Sequence, residues 1–163
     1  MSSRMGRRLS HLDPSGRVRM VDVGGKRVTA RQAVARGKVF MHRGTLELLR
    51  AERTPKGDVL ATAQLAGIMA SKRTSDLIPL AHPLAVDSVK IAFRFDAESP
   101  AVEIESWVRT RGRTGVEMEA LTAVAVAALT LYDMLKAVDR GMVMGEFALW
   151  EKRGGRSGVY RRR

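Results

Sequence analysis

Residues 111–140, RGRTGVEMEALTAVAVAALTLYDMLKAVDR, decide how the rest of the chain is read. The first four form a glycine-containing basic loop, and a single long helix is expected from about Val116. No proline interrupts the stretch, and alanine and leucine dominate it. Leu121, Val124, Ala128, Leu131 and Leu135 recur at spacings of three or four, the period of a buried helix face. Lys136 and Arg140 suit the negative end of the helix dipole, and Gly141 is a natural stop. The helix also carries charge that packing does not require. Glu117 and Glu119 stand at its entrance. Asp133 and Lys136, three residues apart, share a face in its last turns. Thr122, Val126, Leu129, Asp133 and Lys136 form one stripe, so Asp133 continues a mostly apolar row. A carboxylate there is either paired structurally or used chemically.

Upstream of this helix, residues 86–95 and 102–108 alternate apolar and polar side chains. The Ser-Pro-containing segment 96–101 between them reads as a turn, giving an antiparallel hairpin. Downstream, 142–151 reads as another strand, and 154–158 as a flexible loop with three glycines. Toward the N-terminus, 18–23 is a weak first strand. Residues 29–35 read as a short helical turn carrying Arg31, and 38–41 as a short strand. Residues 44–53 form an amphipathic helix. A turn follows at 54–58, and Asp58 caps a second helix at 59–73. Lys56 therefore stands just before a helix N-terminus, where the dipole favours phosphate; a lone turn lysine is ordinary, however. In 76–84, DLIPLAHPL, two prolines four apart bar a helix and hold the segment extended. His82 sits between them in a stiff backbone, which suits a group that must be aimed. The pattern implies an α+β sandwich, an antiparallel sheet with helices packed on one face.

At 163 residues and 45% hydrophobic, the chain is expected to be one domain with a real core. It has no cysteine, which removes disulfides, thiolate zinc sites, iron–sulfur clusters and a cysteine nucleophile. The N-terminal residues have charge but no apolar segment, so no secretory signal is expected. No run is read as long enough to cross a membrane, and a cytoplasmic location follows. The net charge is +12. Arg4, Arg7, Arg8 and residues 161–163 read as solvated tails. Lys26, Arg31, Lys56, Lys72, Arg73, Arg111, Arg113, Lys136 and Lys152 spread positive charge over the body. That suits a polyanion, either nucleic acid or a nucleoside triphosphate.

His82 and Asp133 are candidates for general acid–base work. Lys56 and Lys136 suit phosphate binding or proton donation, and Arg31, Lys72, Arg111 and Lys152 suit anionic oxygens. There is no P-loop, no HExxH and no dinucleotide fingerprint. Three histidines without cysteine make a catalytic zinc improbable. Glu119 and Asp133 are fourteen residues apart, about 21 Å along a helix. One small molecule cannot reach both in one chain, so a second copy must supply one of them if both act. The small residues Ala120, Ala123, Ala127 and Ala128 allow close helix packing. Alternatively, Glu117 and Glu119 simply favour the positive helix end.

LIPLAHPL at 77–84, KGDVLATAQLAGIMASKRT at 56–74 and TGVEMEALTAVAVAALTLYDMLKAVDR at 114–140 closely resemble the molybdenum cofactor biosynthesis protein C family, the cyclic pyranopterin monophosphate synthases. MVDVGGK at 20–26 and KRGGRSG at 152–158 fit too, so the resemblance spans about 11–159. It implies a ferredoxin-like fold and a homohexamer, a trimer of dimers with sites between subunits. It implies conversion of (8S)-3′,8-cyclo-7,8-dihydroguanosine 5′-triphosphate to cyclic pyranopterin monophosphate and pyrophosphate. The family's catalytic aspartate falls on Asp133, its neighbouring lysine on Lys136, its essential turn lysine on Lys56 and its histidine on His82. Substrate contacts fall on Leu80, Ala81, His82, Glu117, Met118 and Glu119, and further basic positions on Arg31 and Lys152. Many relatives carry cysteine at Ala81, so a thiol is not essential here. Gly24 replaces a more polar residue.

The implied reaction rebuilds rings by proton transfer, then an internal hydroxyl attacks the α-phosphate and expels pyrophosphate. It needs no net redox change and no required cofactor; magnesium assistance is possible. The upstream radical GTP 3′,8-cyclase is the implied functional partner, with no specific nucleic acid and no membrane. The competing class is a basic nucleic-acid-binding module, resting on the charge and arginine tails. An aromatic content of 5% offers it few stacking platforms.

Overall fold

The computed structural model describes residues 12–163; Arg4, Arg7 and Arg8 lie outside them. Nine elements follow in order: β1 (Thr29–Phe40), α1 (Arg43–Arg50), α2 (Val59–Ser71), α3 (Thr74–Leu77), β2 (Ser88–Phe95), β3 (Ala101–Gly112), α4 (Glu117–Leu135), β4 (Val143–Arg153) and β5 (Tyr160–Arg161). The sheet runs β2-β3-β1-β4-β5, and every neighbouring pair is antiparallel. The α+β, ferredoxin-like antiparallel sheet with helices on one face is therefore observed: β1, α2, β2, β3, α4 and β4 make its β-α-β-β-α-β path. The expected hairpin is β2–β3, with Ser88 opposite Arg109 and Phe95 opposite Val102.

Alternation puts one row of each strand toward the helices. In β1 that row is Ala33, Ala35, Gly37 and Val39, opposite Val108, Ser106, Ile104 and Val102 of β3. These residues pack with Val124, Ala127, Ala128, Leu131 and Leu135 of α4 in one core. Burying a leucine such as Leu131 contributes about 2 kcal/mol. Ser106 is the one hydroxyl among these eight residues, and it is satisfied by donating to the Ala120 carbonyl at 2.8 Å. That bond pins the first turns of α4 to the centre of the sheet.

Several expected boundaries differ. Residues 29–35 are strand, not a helical turn. Ala, Arg and Gln favour helix in isolation, but here they form the central strand between β3 and β4, and tertiary pairing overrides propensity. Small residues on the helix-facing row let α4 and β4 come close. A Cβ on Gly37 would lie 2.3 Å from Phe147 Cδ1 and 2.8 Å from Val124 Cγ1. The 18–23 stretch is not a strand: Val18 makes only an isolated bridge to Leu12. Residues 111 and 112 extend β3 rather than opening a loop, because Arg111 and Gly112 pair with Ala30 and Thr29. Helix α4 stops at Leu135 with Lys136 as C-cap, before Gly141. Asp139 intervenes: its buried carboxylate accepts from the His42 amide at 2.8 Å and the Gly141 amide at 3.0 Å, folding the chain away from the helix axis. Around 76–84 the chain is not simply extended. It begins in α3 and turns at Ile78–Ala81, with the Ala81 amide on the Ile78 carbonyl at 3.0 Å and Pro79 in the position a turn favours. The C-terminal arginines are not all loose. Tyr160 and Arg161 pair with β4, and Arg161 Nε meets Glu151 Oε2 at 2.9 Å.

The two expected helices on either side of the Lys56 turn are present as α1 and α2, and Asp58 Oδ1 caps α2 by accepting from the Ala61 amide at 2.9 Å. One expectation about membranes needs correcting. By length and composition alone, α4 is apolar enough to span a bilayer. Its apolarity has another cause, since one face is buried on the sheet and α2.

Candidate active site

The two ends of α4 carry different chemistry. At its C-terminal end the structure joins three of the expected residues. Lys136 Nζ meets Asp133 Oδ1 at 2.7 Å. Lys56 Nζ donates to the Asp133 backbone carbonyl at 2.9 Å and lies 3.7 Å from its Oδ2. Gly57, at φ +82°, turns the chain so that α1 and α2 present Lys56 to this helix end. The hydrogen bond and charge of Lys136, then the charge of Lys56, hold the Asp133 carboxyl below its usual range. The same bond raises Lys136. All three side chains remain open to solvent. Asp133 is thus ionised and flanked by two ammonium groups, a constellation suited to moving a proton or meeting phosphate.

At the N-terminal end, Leu80, Ala81 and His82 come together with Glu117, Met118 and Glu119 around a cleft of about 430 Å³. The Ile78–Ala81 turn aims His82 across the cleft. His82 Nε2 lies 2.6 Å from the Val21 carbonyl. A carbonyl only accepts, so Nε2 carries the proton, and in the neutral ring Nδ1 is the free base. Val21 and Val23 belong to the irregular segment before β1, which straps this cleft. Glu119 is 4% exposed, and burial pushes its carboxyl up to about 7, with the Glu117 charge adding to the rise. A carboxyl titrating near neutrality in a cleft is suited to accept and return a proton.

Beside this cleft lies a second cavity of about 710 Å³. Arg31 and Lys152 line it, as expected, and they are joined by Lys26, Arg27, Arg113 and Arg156. Arg31 enters from the helix-facing side of β1 and is steadied by the Gly112 carbonyl at 3.4 Å and the Arg113 carbonyl at 3.3 Å. The 154–158 loop folds against it. Gly155 sits at φ +74°, and a Cβ there would collide with the Arg31 guanidinium. Lys152 is hydrogen-bonded to Ser157 of the same loop. Sequence reading counted Lys26 and Arg113 only as body charge and did not single out Arg27 or Arg156. The available signal was glycine beside cation in GGKR, RGRTG and RGGR, where backbone can wrap an anion without side-chain bulk.

Lys72 stands apart, at the C-cap of α2, and lines neither cavity; Arg111 is exposed and lines a different concavity with Arg109 and Arg153. Glu119 and Asp133 both lie in α4, about 21 Å apart along its axis. The two clusters therefore lie at opposite ends of one helix.

Residues 20–155 match the MoaC family. The chain belongs to that family. It is 62% identical over 152 residues to the cyclic pyranopterin monophosphate synthase of Roseiflexus sp. (strain RS-1), covering 93% of this chain and 96% of that protein. It is 58% identical over 155 residues to the enzyme of the same name from Pelotomaculum thermopropionicum, covering 95% and 91%. The figure is 60% over 154 residues for that of Thermomicrobium roseum, covering 94% and 93%. For this MoaC-family chain the family match includes both ends of α4 and the residues of both cavities other than Arg156 and Ser157.

Proposed function

We propose that this chain is a cyclic pyranopterin monophosphate synthase, a lyase of molybdenum cofactor biosynthesis. It converts (8S)-3′,8-cyclo-7,8-dihydroguanosine 5′-triphosphate to cyclic pyranopterin monophosphate and pyrophosphate. The observation that carries the reading is the pair of adjoining cavities in a chain of this family: one lined by apolar side chains and titratable groups in about equal measure, one strongly basic. A flat heterocycle suits the first and a triphosphate the second.

The geometry supports the following roles. Arg31, Lys152 and their basic neighbours bind the triphosphate. Leu80, Ala81 and Met118 pack the ring, and His82, Glu117 and Glu119 offer it hydrogen bonds. Asp133, Lys56 and Lys136 move protons during ring opening and closure. Because that triad is a helix length away, the complete site forms where a second copy brings its Lys56–Asp133–Lys136 end to this chain's cavities, in a homohexamer built as a trimer of dimers. The upstream radical GTP 3′,8-cyclase supplies the substrate, in the cytoplasm. Among the described residues no three His, Asp or Glu side chains gather to hold a metal.

Incubation of the purified protein with the cyclic dihydro-GTP intermediate tests the proposal. Stoichiometric pterin and pyrophosphate are expected. Unchanged substrate under conditions where a relative turns over would refute it.

A further inference from the structure

Resting on the functional reading above, we infer that the substrate lies across both cavities and that Lys26 stands at the bond that breaks, between its α- and β-phosphates. The two cavities meet at Lys26, Thr114, Gly115 and Glu117, the residues lining both. The reaction divides its substrate at one point. The ring keeps the α-phosphate, and the β- and γ-phosphates leave as pyrophosphate. A ring in the cleft of His82 and a polyphosphate among Arg27, Arg31 and Arg156 therefore put the α-phosphorus at the junction.

Charge at that junction is the decisive feature. Of the four shared residues, Lys26 alone is cationic. Glu117 is anionic, and its carboxylate is folded back over Gly115, where an added Cβ would overlap it. Without Lys26, the junction would meet a phosphate with a carboxylate and only the partial positive charge of the α4 N-terminus. Among the described residues, no carboxylate forms an ion pair with Lys26. Its backbone is fixed by a turn in which the Lys26 amide donates to the Val23 carbonyl at 3.0 Å and the Gly24 amide to Asp22 Oδ1 at 2.8 Å. The turn holds the Lys26 backbone at the junction, and its exposed side chain brings a positive charge there.

In the final step a substrate hydroxyl oxygen forms a bond to the α-phosphorus. The bond from that phosphorus to the α–β bridging oxygen breaks, and its electron pair stays with pyrophosphate. The hydroxyl proton passes to Glu119 or His82 in the ring cleft. Lys26 meets the charge that grows on the bridging oxygen, where a placed donor acts most strongly. Arg156, which lines the basic cavity but not the ring cleft, binds the departing end equally before and during cleavage, and so contributes to binding but not to kcat.

Steady-state and single-turnover kinetics, with pyrophosphate and pterin measured separately, test this. Lys26→Met should lower kcat about 100-fold and accumulate a rearranged intermediate still carrying its triphosphate. Lys26→Arg should recover most of the rate, since a fixed positive charge is what the step needs. Arg156→Ala should raise KM about 10-fold while kcat stays within about 2-fold. Circular dichroism checks that the variants are folded; Lys26 is exposed, so none should unfold. A folded Lys26→Met protein with normal kcat, or a loss confined to KM, would overturn the assignment while leaving the enzyme reading intact. Wild-type protein that releases no pyrophosphate would overturn both.

Discussion

The two ends of α4 belong to one helix but solve opposite problems. At the N-terminal end, Glu119 is buried with no cationic partner among the described residues, and its carboxyl rises to about 7. At the C-terminal end, Asp133 is exposed between two lysines and its carboxyl is lowered. Exposed ion pairs add little to stability, so the Lys56–Asp133–Lys136 arrangement is not explained by folding. Burying an unpaired carboxyl costs stability, so neither is Glu119. Each end spends something the fold does not need, in the opposite electrostatic direction. Groups pushed apart in this way are what acid–base chemistry at one pH requires.

The largest expected effect breaks the exposed end. Asp133→Asn keeps size and helix but removes the charge. Pterin formation should fall about 100-fold or more with the thermal midpoint unchanged, because the side chain is solvent-exposed. Near-normal turnover would remove Asp133 from the chemistry. Next comes Lys56. Lys56→Ala should lose turnover while equilibrium dialysis still detects substrate binding. Lys56→Arg should remain about 10-fold or more impaired, since arginine does not readily release a proton. Full rescue by arginine would make the residue purely electrostatic.

The smaller effect sharpens the buried end. The Glu119 carboxyl titrates near 7 in the folded protein and near 4.3 when unfolded. Between those values the folded state binds more protons, so stability declines as pH rises from about 4 to about 7. Glu119→Gln removes that penalty. At pH 8 it should stabilise the fold by on the order of 2 kcal/mol, and at pH 4 it should change stability little. Denaturant melts at the two pH values check this. Equal effects at both would mean that the carboxyl is not held in its raised state.

Much of this was legible in the sequence, for physical reasons that differ by region. Helix α4, the β2–β3 hairpin and the Asp58 cap depend on periodicity and local chemistry, and these are written in short stretches. Strand β1 was hidden because Ala33, Ala35 and Gly37 suit the space under α4 rather than a strand's own propensity. The Lys56–Asp133–Lys136 cluster could be named residue by residue through resemblance, but its contacts span 77 positions along the chain, which no local pattern encodes. Lys26, Arg27, Arg113 and Arg156 gather only when the strap before β1 meets the 154–158 loop and the start of α4. Lys72 was chosen for its charge; it stands at the C-cap of α2 and lines neither cavity.

The central claim is that each complete site draws its two halves from different chains. Subunit exchange between Glu119→Gln and Asp133→Asn proteins tests it most directly. Each parent should be inactive. In mixed oligomers some junctions carry both defects and others neither, so pterin synthesis should reappear with the proportion of mixed assemblies. No recovery despite exchange proven by mass spectrometry, or a fully active monomer, would contradict the account and place both halves within one chain.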